Sequence, residues 1–221
     1  MIHYAREVFS RAFLRGEKMK ERRTQIRKLV LIAIYAALST ILYHLKFPLP
    51  FIFPEFLDIQ FSNLPAIICG LTLGPISGAV VVVLRGLLKL PFSSSLGVGE
   101  LADLIIGLVV VLTSSLYYQN HRTKKGGIIA LLLSSLVWII TAVIANYYVL
   151  IPFYEKLLGF ETLYAALGII PGITRDNYLL YYILFAVIPF NLLLSTLVNV
   201  VTYFVYKKIS LLTKELTETK S

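Results

Sequence analysis

Six polar or charged side chains stand where an otherwise apolar chain would meet lipid: Arg85, Lys89, Glu100, Asp103, Asn146 and Asn191. Each falls inside a long hydrophobic run or at its end, and ionisable groups at such depth face protein or a water-filled cavity rather than hydrocarbon. Arg85 and Lys89 are four residues apart and share one helix face, while Glu100 and Asp103 are three apart and share another. The short connection between the two pairs lets them cross-pair near one membrane surface, either as a structural salt-bridge cluster or as part of a ligand site. An asparagine amide offers two donors and an acceptor, a match for the edge of a heterocycle, so Asn146 and Asn191 are read as ligand contacts.

Other chemistry lacks its residues. The sequence holds no GxxxxGK[ST] phosphate loop and no HExxH, its His3, His44 and His121 are scattered, and no carboxylate cluster of metal-site type occurs. ATP hydrolysis by a phosphate loop is therefore not expected. No catalytic residue and no metal ligand is assigned, which leaves an intramembrane enzyme acting on lipid as the weaker class. Cys69 is the single cysteine, forms no internal disulfide, and reads as a small core residue. The glycines spaced by four in GLTLG and GPISG read as close-packing positions.

The elements that must hold these side chains are membrane helices. Of 221 residues 57% are hydrophobic and 15% charged, against about a quarter charged in soluble proteins. Apolar runs cover residues 29–45, 61–90, 101–118, 128–150 and 178–206, and a span needs about 20 residues. The second run is long enough to divide, and Gly74-Pro75 is the place, because proline starts a helix more easily than it continues one. Nine Lys/Arg precede the first run, three lie in HRTKK and four follow the last. Six crossings put all of these on one side, whereas five would set the first nine against the rest. The first 28 residues are polar and basic, unlike a secretory signal, and are expected to be retained in the cytoplasm.

The expected fold class is thus an all-α integral membrane protein of the cell membrane, with six transmembrane helices and both termini cytoplasmic. Residues 1–26 form a basic cytoplasmic segment, 27–208 the six-helix membrane domain and 209–221 a cytoplasmic tail. The net charge of +9 sits at membrane flanks, so the lipid bilayer and not nucleic acid is the expected partner. One half of the divided run, residues 61–73, is only about 20 Å long as a helix and must lie deep among its neighbours or line a cavity. Two outer connections are unusually aromatic: KFPLPFIFPEF at 46–56, stiffened by Pro48, Pro50 and Pro54, and the stretch 152–177.

KFPLPF followed by DIQFSNLPAIICGLTLGPISG, then GELAD, NYYVLIPFY and IPFN, resembles the riboflavin-specific S components (RibU family) of energy-coupling factor (ECF) transporters. The likeness runs in the family's order from about Arg27 to Lys208. It implies a subunit that captures riboflavin from outside and delivers it inward with a transmembrane coupling subunit and two ATPases, so ATP chemistry would sit on partner chains. Riboflavin would be a transported ligand, not a cofactor. Asn146 looks like the family's asparagine that hydrogen-bonds the flavin ring. Leu49, Phe51, Phe53, Glu100, Asp103, Tyr147 and Asn191 complete the expected substrate-binding set. A flat, largely apolar ring is best held between aromatic faces, the role expected of Phe51 and Phe53, with an interfacial aromatic belt as the alternative reading of this loop. Ala33 and Ala37 in AIYAA look like the AxxxA motif that docks on the coupling subunit, and internal packing is the other use of such spacing. FMN remains an alternative ligand, since Arg85 and Lys89 could neutralise its phosphate; so does another vitamin.

Overall fold

In the computed structural model, the backbone is described for residues 2–93 and 95–218, and side chains for 19, 21–93 and 95–208. The side chains of the expected tail, 209–221, and most of those of the basic N-terminal segment lie outside the described residues.

Helix α1 runs unbroken over Ile2–His44, and its stretch Glu21–His44 is long and apolar enough to cross a bilayer. The connection that follows is pinned at its neck. Phe47–Pro48 (β1) pairs antiparallel with Asp58–Ile59 (β2), Phe47 opposite Ile59, and Lys46 reaches Asp58 at 2.6 Å. Between them the chain turns tightly, the amides of Ile52 and Phe53 both donating to the Leu49 carbonyl at 3.0 Å.

Helix α2 covers Asn63–Leu73 and α3 Pro75–Lys89, and the break falls on Gly74 with φ 98°. A side chain would be strained in that conformation, and Pro75 has no amide to leave unpaired in the first turn of α3. Eight of the 11 residues of α2 are buried, as its shortness requires. It packs against α1, α3 and two later helices, Val98–Asn120 and Ile188–Glu218, with Ala66, Ile67 and Cys69 fully enclosed. A Cβ on Gly78 would stand 2.8 Å from the Gly70 Cα, so the spaced glycines let α2 and α3 touch.

Helix α4 spans Val98–Asn120 and α5 Lys124–Ala145. The Thr123 hydroxyl accepts from the Gly126 amide at 2.9 Å, capping α5. The sequence reading ends this helix near Leu150 and opens a long loop at Pro152; the structure does not. A π-helical turn over Asn146–Leu150 carries α5 into α6, Ile151–Leu158, making one apolar run of 35 residues. The physical reason is local: the Ile151 amide reaches back five residues to the Asn146 carbonyl, which widens the helix just where Pro152 has no N–H to give. Helices α7, Phe160–Ala166, and α8, Tyr178–Tyr182, follow. The same device then recurs: a π-helical turn over Ile183–Val187, with the Ile188 amide on the Ile183 carbonyl, precedes Pro189 and α9, Ile188–Glu218. Among the described residues five helices are long and apolar enough to cross a membrane, and Asn63–Leu73 is a shorter apolar helix.

Candidate functional site

A cavity of about 500 Å³ opens at the end of the bundle where α1 and α3 finish and α4 begins. Its size falls within the range of small-molecule sites, about 300–1,000 Å³. Two walls and a strap enclose it.

The first wall comes from α5, the π-helical turn that continues it and α9, with Trp138, Ala142, Asn146, Phe190, Asn191 and Leu194. Its two asparagines are fixed in the same way. Asn146 Nδ2 donates to the Ala142 carbonyl at 2.8 Å, and its Oδ1 accepts from the Tyr182 hydroxyl at 2.7 Å. Asn191 Nδ2 donates to the Val187 carbonyl at 2.8 Å, and its Oδ1 accepts from Trp138 Nε1 at 3.1 Å. An indole can only donate, so the Asn191 oxygen must face Trp138. Each amide thereby keeps one N–H and one oxygen lone pair for a third party, in an orientation set beforehand.

The second wall belongs to α1, α3 and α4 and carries Tyr43, Lys89, Glu100, Asp103 and Ile106. The expected cross-pairing forms in half. Arg85 Nη2 meets Asp103 at 3.2 Å, while Nη1 donates to Ser62 Oγ at 2.9 Å and Asn63 Oδ1 at 2.8 Å. Arg85 is only 1% exposed. Gly107 leaves it room, since a Cβ there would lie 2.8 Å from Nη2. Asp103 also accepts from Gln60 Nε2 at 3.1 Å, tying the wall to the end of the first connection. Glu100 does not pair with Lys89: it accepts from the hydroxyls of Ser93 at 2.6 Å and Ser95 at 2.7 Å. Lys89 instead holds its ammonium 5.3 Å from the Tyr43 ring centroid.

The strap is aromatic, although not through the residues expected. Phe56 lines the cavity with Tyr154, its ring 6.0 Å from that of Tyr154 and 5.9 Å from that of Tyr182. Phe51, expected to stack on a ligand, is 94% exposed at the tip of the turn and lines no part of the cavity. Phe53 is buried behind the wall, edge-on to Phe190 at 5.3 Å, and Leu49 packs against the core beside it. Phe51 falls inside the turn closed on the Leu49 carbonyl and is exposed there, whereas Phe53 ends the turn and is buried. Tyr147 points outward and is exposed, because residues adjacent on a helix cannot share a face.

Of the expected binding residues, the cavity therefore brings together Asn146, Asn191, Glu100 and Asp103, and leaves out Leu49, Phe51, Phe53 and Tyr147. It adds Trp138, Phe56, Gln60, Tyr43 and Lys89. A signal for one of these was present: Trp138 is the single tryptophan, placed in the apolar run that leads to Asn146. Ala33 and Ala37 line no part of this cavity and lie on the exposed face of α1.

Membrane helices that close a cavity of this kind under an aromatic strap, with polar groups already held in place, define a membrane-embedded substrate-binding protein. More particularly, the chain belongs to the family of ECF transporter substrate-specific components, whose family model matches residues 27–206. It is a multi-pass plasma-membrane protein and a transport component, not an enzyme. It is similar to the riboflavin transporter RibU of Staphylococcus aureus, 28% identical over 84% of this chain and 92% of that protein. The riboflavin transporter FmnP of Bacillus subtilis is 27% identical over 84% and 93%, and the riboflavin transporter RibU of Streptococcus thermophilus 32% identical over 83% and 82%. A solved S component of a bacterial ECF transporter superposes with a TM-score of 0.68 at 28% identity, covering 86% of this chain and 99% of that one.

Proposed function

We propose that the chain captures riboflavin at the outer face of the plasma membrane and releases it inward as the S component of an ECF-type importer. The observation that carries this is the pair of asparagines, Asn146 and Asn191, each with a free N–H and a free lone pair on one cavity wall. Together they fit the alternating donors and acceptors along the polar edge of a flavin, and Trp138, Phe190 and Phe56 supply apolar surface for its ring. The riboflavin transporters among its relatives support the same ligand. In this reading the ring lies against α5 and α9, and the polyol chain points toward Glu100, Asp103 and Lys89.

The importer reading includes six crossings, with α2 and α3 counted separately. Residues 27–208 are the membrane domain, and the basic segment 1–26, the tail 209–221 and both termini are on the cytoplasmic side, as the clustering of Lys/Arg favours. A transmembrane coupling subunit would meet the exposed face of α1 at Ala33 and Ala37, where two small residues four apart admit another helix, and two ATPases would supply the energy.

The test is direct. The chain purified alone in detergent should quench riboflavin fluorescence with one saturable site and no ATP present, and mass spectrometry should find a flavin in protein from riboflavin-fed cells. A folded sample that neither carries nor binds flavin ends this reading. For docking, Ala33→Leu and Ala37→Leu should leave flavin binding unchanged and abolish uptake by cells carrying the full transporter. Loss of both together would assign the alanines to internal packing.

A further inference from the structure

Arg85 and Lys89 sit one turn apart on α3, yet their surroundings differ. Arg85 is held by Ser62, Asn63 and Asp103 and is absent from the cavity lining. Lys89 lines the cavity and is 9% exposed. Among the described residues its ammonium has no carboxylate within ion-pair distance; Glu100 acts on it only at longer range, and the Tyr43 ring centroid lies 5.3 Å away. The acidic groups of the same wall are otherwise engaged: Glu100 by Ser93 and Ser95, Asp103 by Arg85 and Gln60.

An aromatic face and the carboxyl end of a helix tolerate an ammonium without giving it an oxygen acceptor. The Lys89 donors open on the cavity, where water serves them until a ligand takes its place, and a ligand that displaces that water must supply an acceptor of its own. We propose that Lys89 is the specificity-determining residue for the polar end of the ligand, donating to an oxygen acceptor that the ligand brings: a hydroxyl of a polyol chain or an oxygen of a terminal phosphate. This rests on the flavin reading of the cavity and deepens it. The amide wall recognises the ring, and Lys89 decides which tail may follow.

The experiment compares three probes on the full chain in detergent micelles: riboflavin, FMN and lumichrome, which has the ring without the tail. Lys89→Met keeps the length and apolar body of the side chain and removes the donors. It should raise the riboflavin Kd roughly tenfold to a hundredfold, the effect of losing a charged hydrogen bond, and leave the lumichrome Kd unchanged. Lys89→Arg should recover part of the loss. A larger loss for FMN than for riboflavin assigns the acceptor to the phosphate; equal losses assign it to a hydroxyl, and both outcomes support the proposal. Equal losses for riboflavin and lumichrome overturn it, because Lys89 would then be architectural, as does an unchanged Kd for both tailed ligands. Lys89→Gln serves if the methionine variant does not fold. If the parent chain binds no flavin at all, the flavin reading fails; if it binds and Lys89→Met is silent, only this inference does.

Discussion

On α5 and α9 the cavity wall is neutral: two asparagines, each braced by a helix carbonyl and an aromatic donor, present amides that carry no charge into the membrane. On α3 and α4 the wall is charged, with a buried arginine engaged three ways and two carboxylates satisfied from within the protein. The neutral wall can be preorganised cheaply because an amide loses less on leaving water than an ion does. The charged wall must first offset its own desolvation, and Arg85 does so in part: its two terminal nitrogens bond α2 and α4 to α3, while its Nε is buried without a partner. One wall therefore offers neutral hydrogen-bonding groups set in advance, while the other mostly holds helices together and leaves Lys89 to face the cavity.

The largest effect should come from attacking the charged wall at its centre. Arg85→Met would leave Asp103 as a half-buried carboxylate without its cation and Asn63 without its donor, at a cost of about 3 kcal/mol in stability. Thermal unfolding in detergent should show a clear drop, with partial recovery in the double variant Arg85→Met/Asp103→Leu, which removes the stranded charge as well. If Arg85→Met unfolded like the parent but bound flavin poorly, Arg85 would belong with the reading groups and the contrast between the walls would collapse.

The neutral wall should respond in the opposite sense. Asn146→Ala should weaken flavin binding by about 1–3 kcal/mol, the loss expected when a buried polar edge is left without a partner, with a smaller change in unfolding temperature than Arg85→Met gives. Tyr182→Phe keeps Asn146 and removes the hydroxyl that braces it. It should cost about 1 kcal/mol of binding, in line with one neutral hydrogen bond. Titration of flavin fluorescence measures both, and a silent Asn146→Ala would mean that its amide serves the π-helical turn alone.

How much of this the sequence made legible depends on the range of the forces involved. Gly74-Pro75 marks the α2–α3 break because both residues act through their own backbones, and Asn146 and Asn191 stand out because amides are costly in apolar helices. The exchange of Phe51 for Phe56 was not legible. Which ring turns inward depends on the pairing of Phe47 with Ile59 and on the turn closed at Leu49, a tertiary register that composition does not encode. Pro152 misleads for a related reason: proline normally ends a helix, but a π-helical turn one step earlier removes the need for its amide. The sequence repeats the pattern, Ile151-Pro152-Phe153 and Ile188-Pro189-Phe190, and the recurrence is a usable sign that both prolines are accommodated in the same way.

The smallest expected effect concerns the strap, where two phenylalanines of one loop should behave differently. Phe56 packs between Tyr154 and Tyr182 at the cavity, so Phe56→Ala opens the side through which a bound ring would leave. Affinity differences of this kind appear mainly in the dissociation rate, and stopped-flow fluorescence should record faster release with little change in association. Phe51, almost wholly exposed, offers a ligand nothing in this arrangement, and Phe51→Ala should release flavin at the parent rate. Faster release from Phe51→Ala would show that the turn folds inward over an occupied cavity, so that the strap would contact the ligand as the neutral wall does.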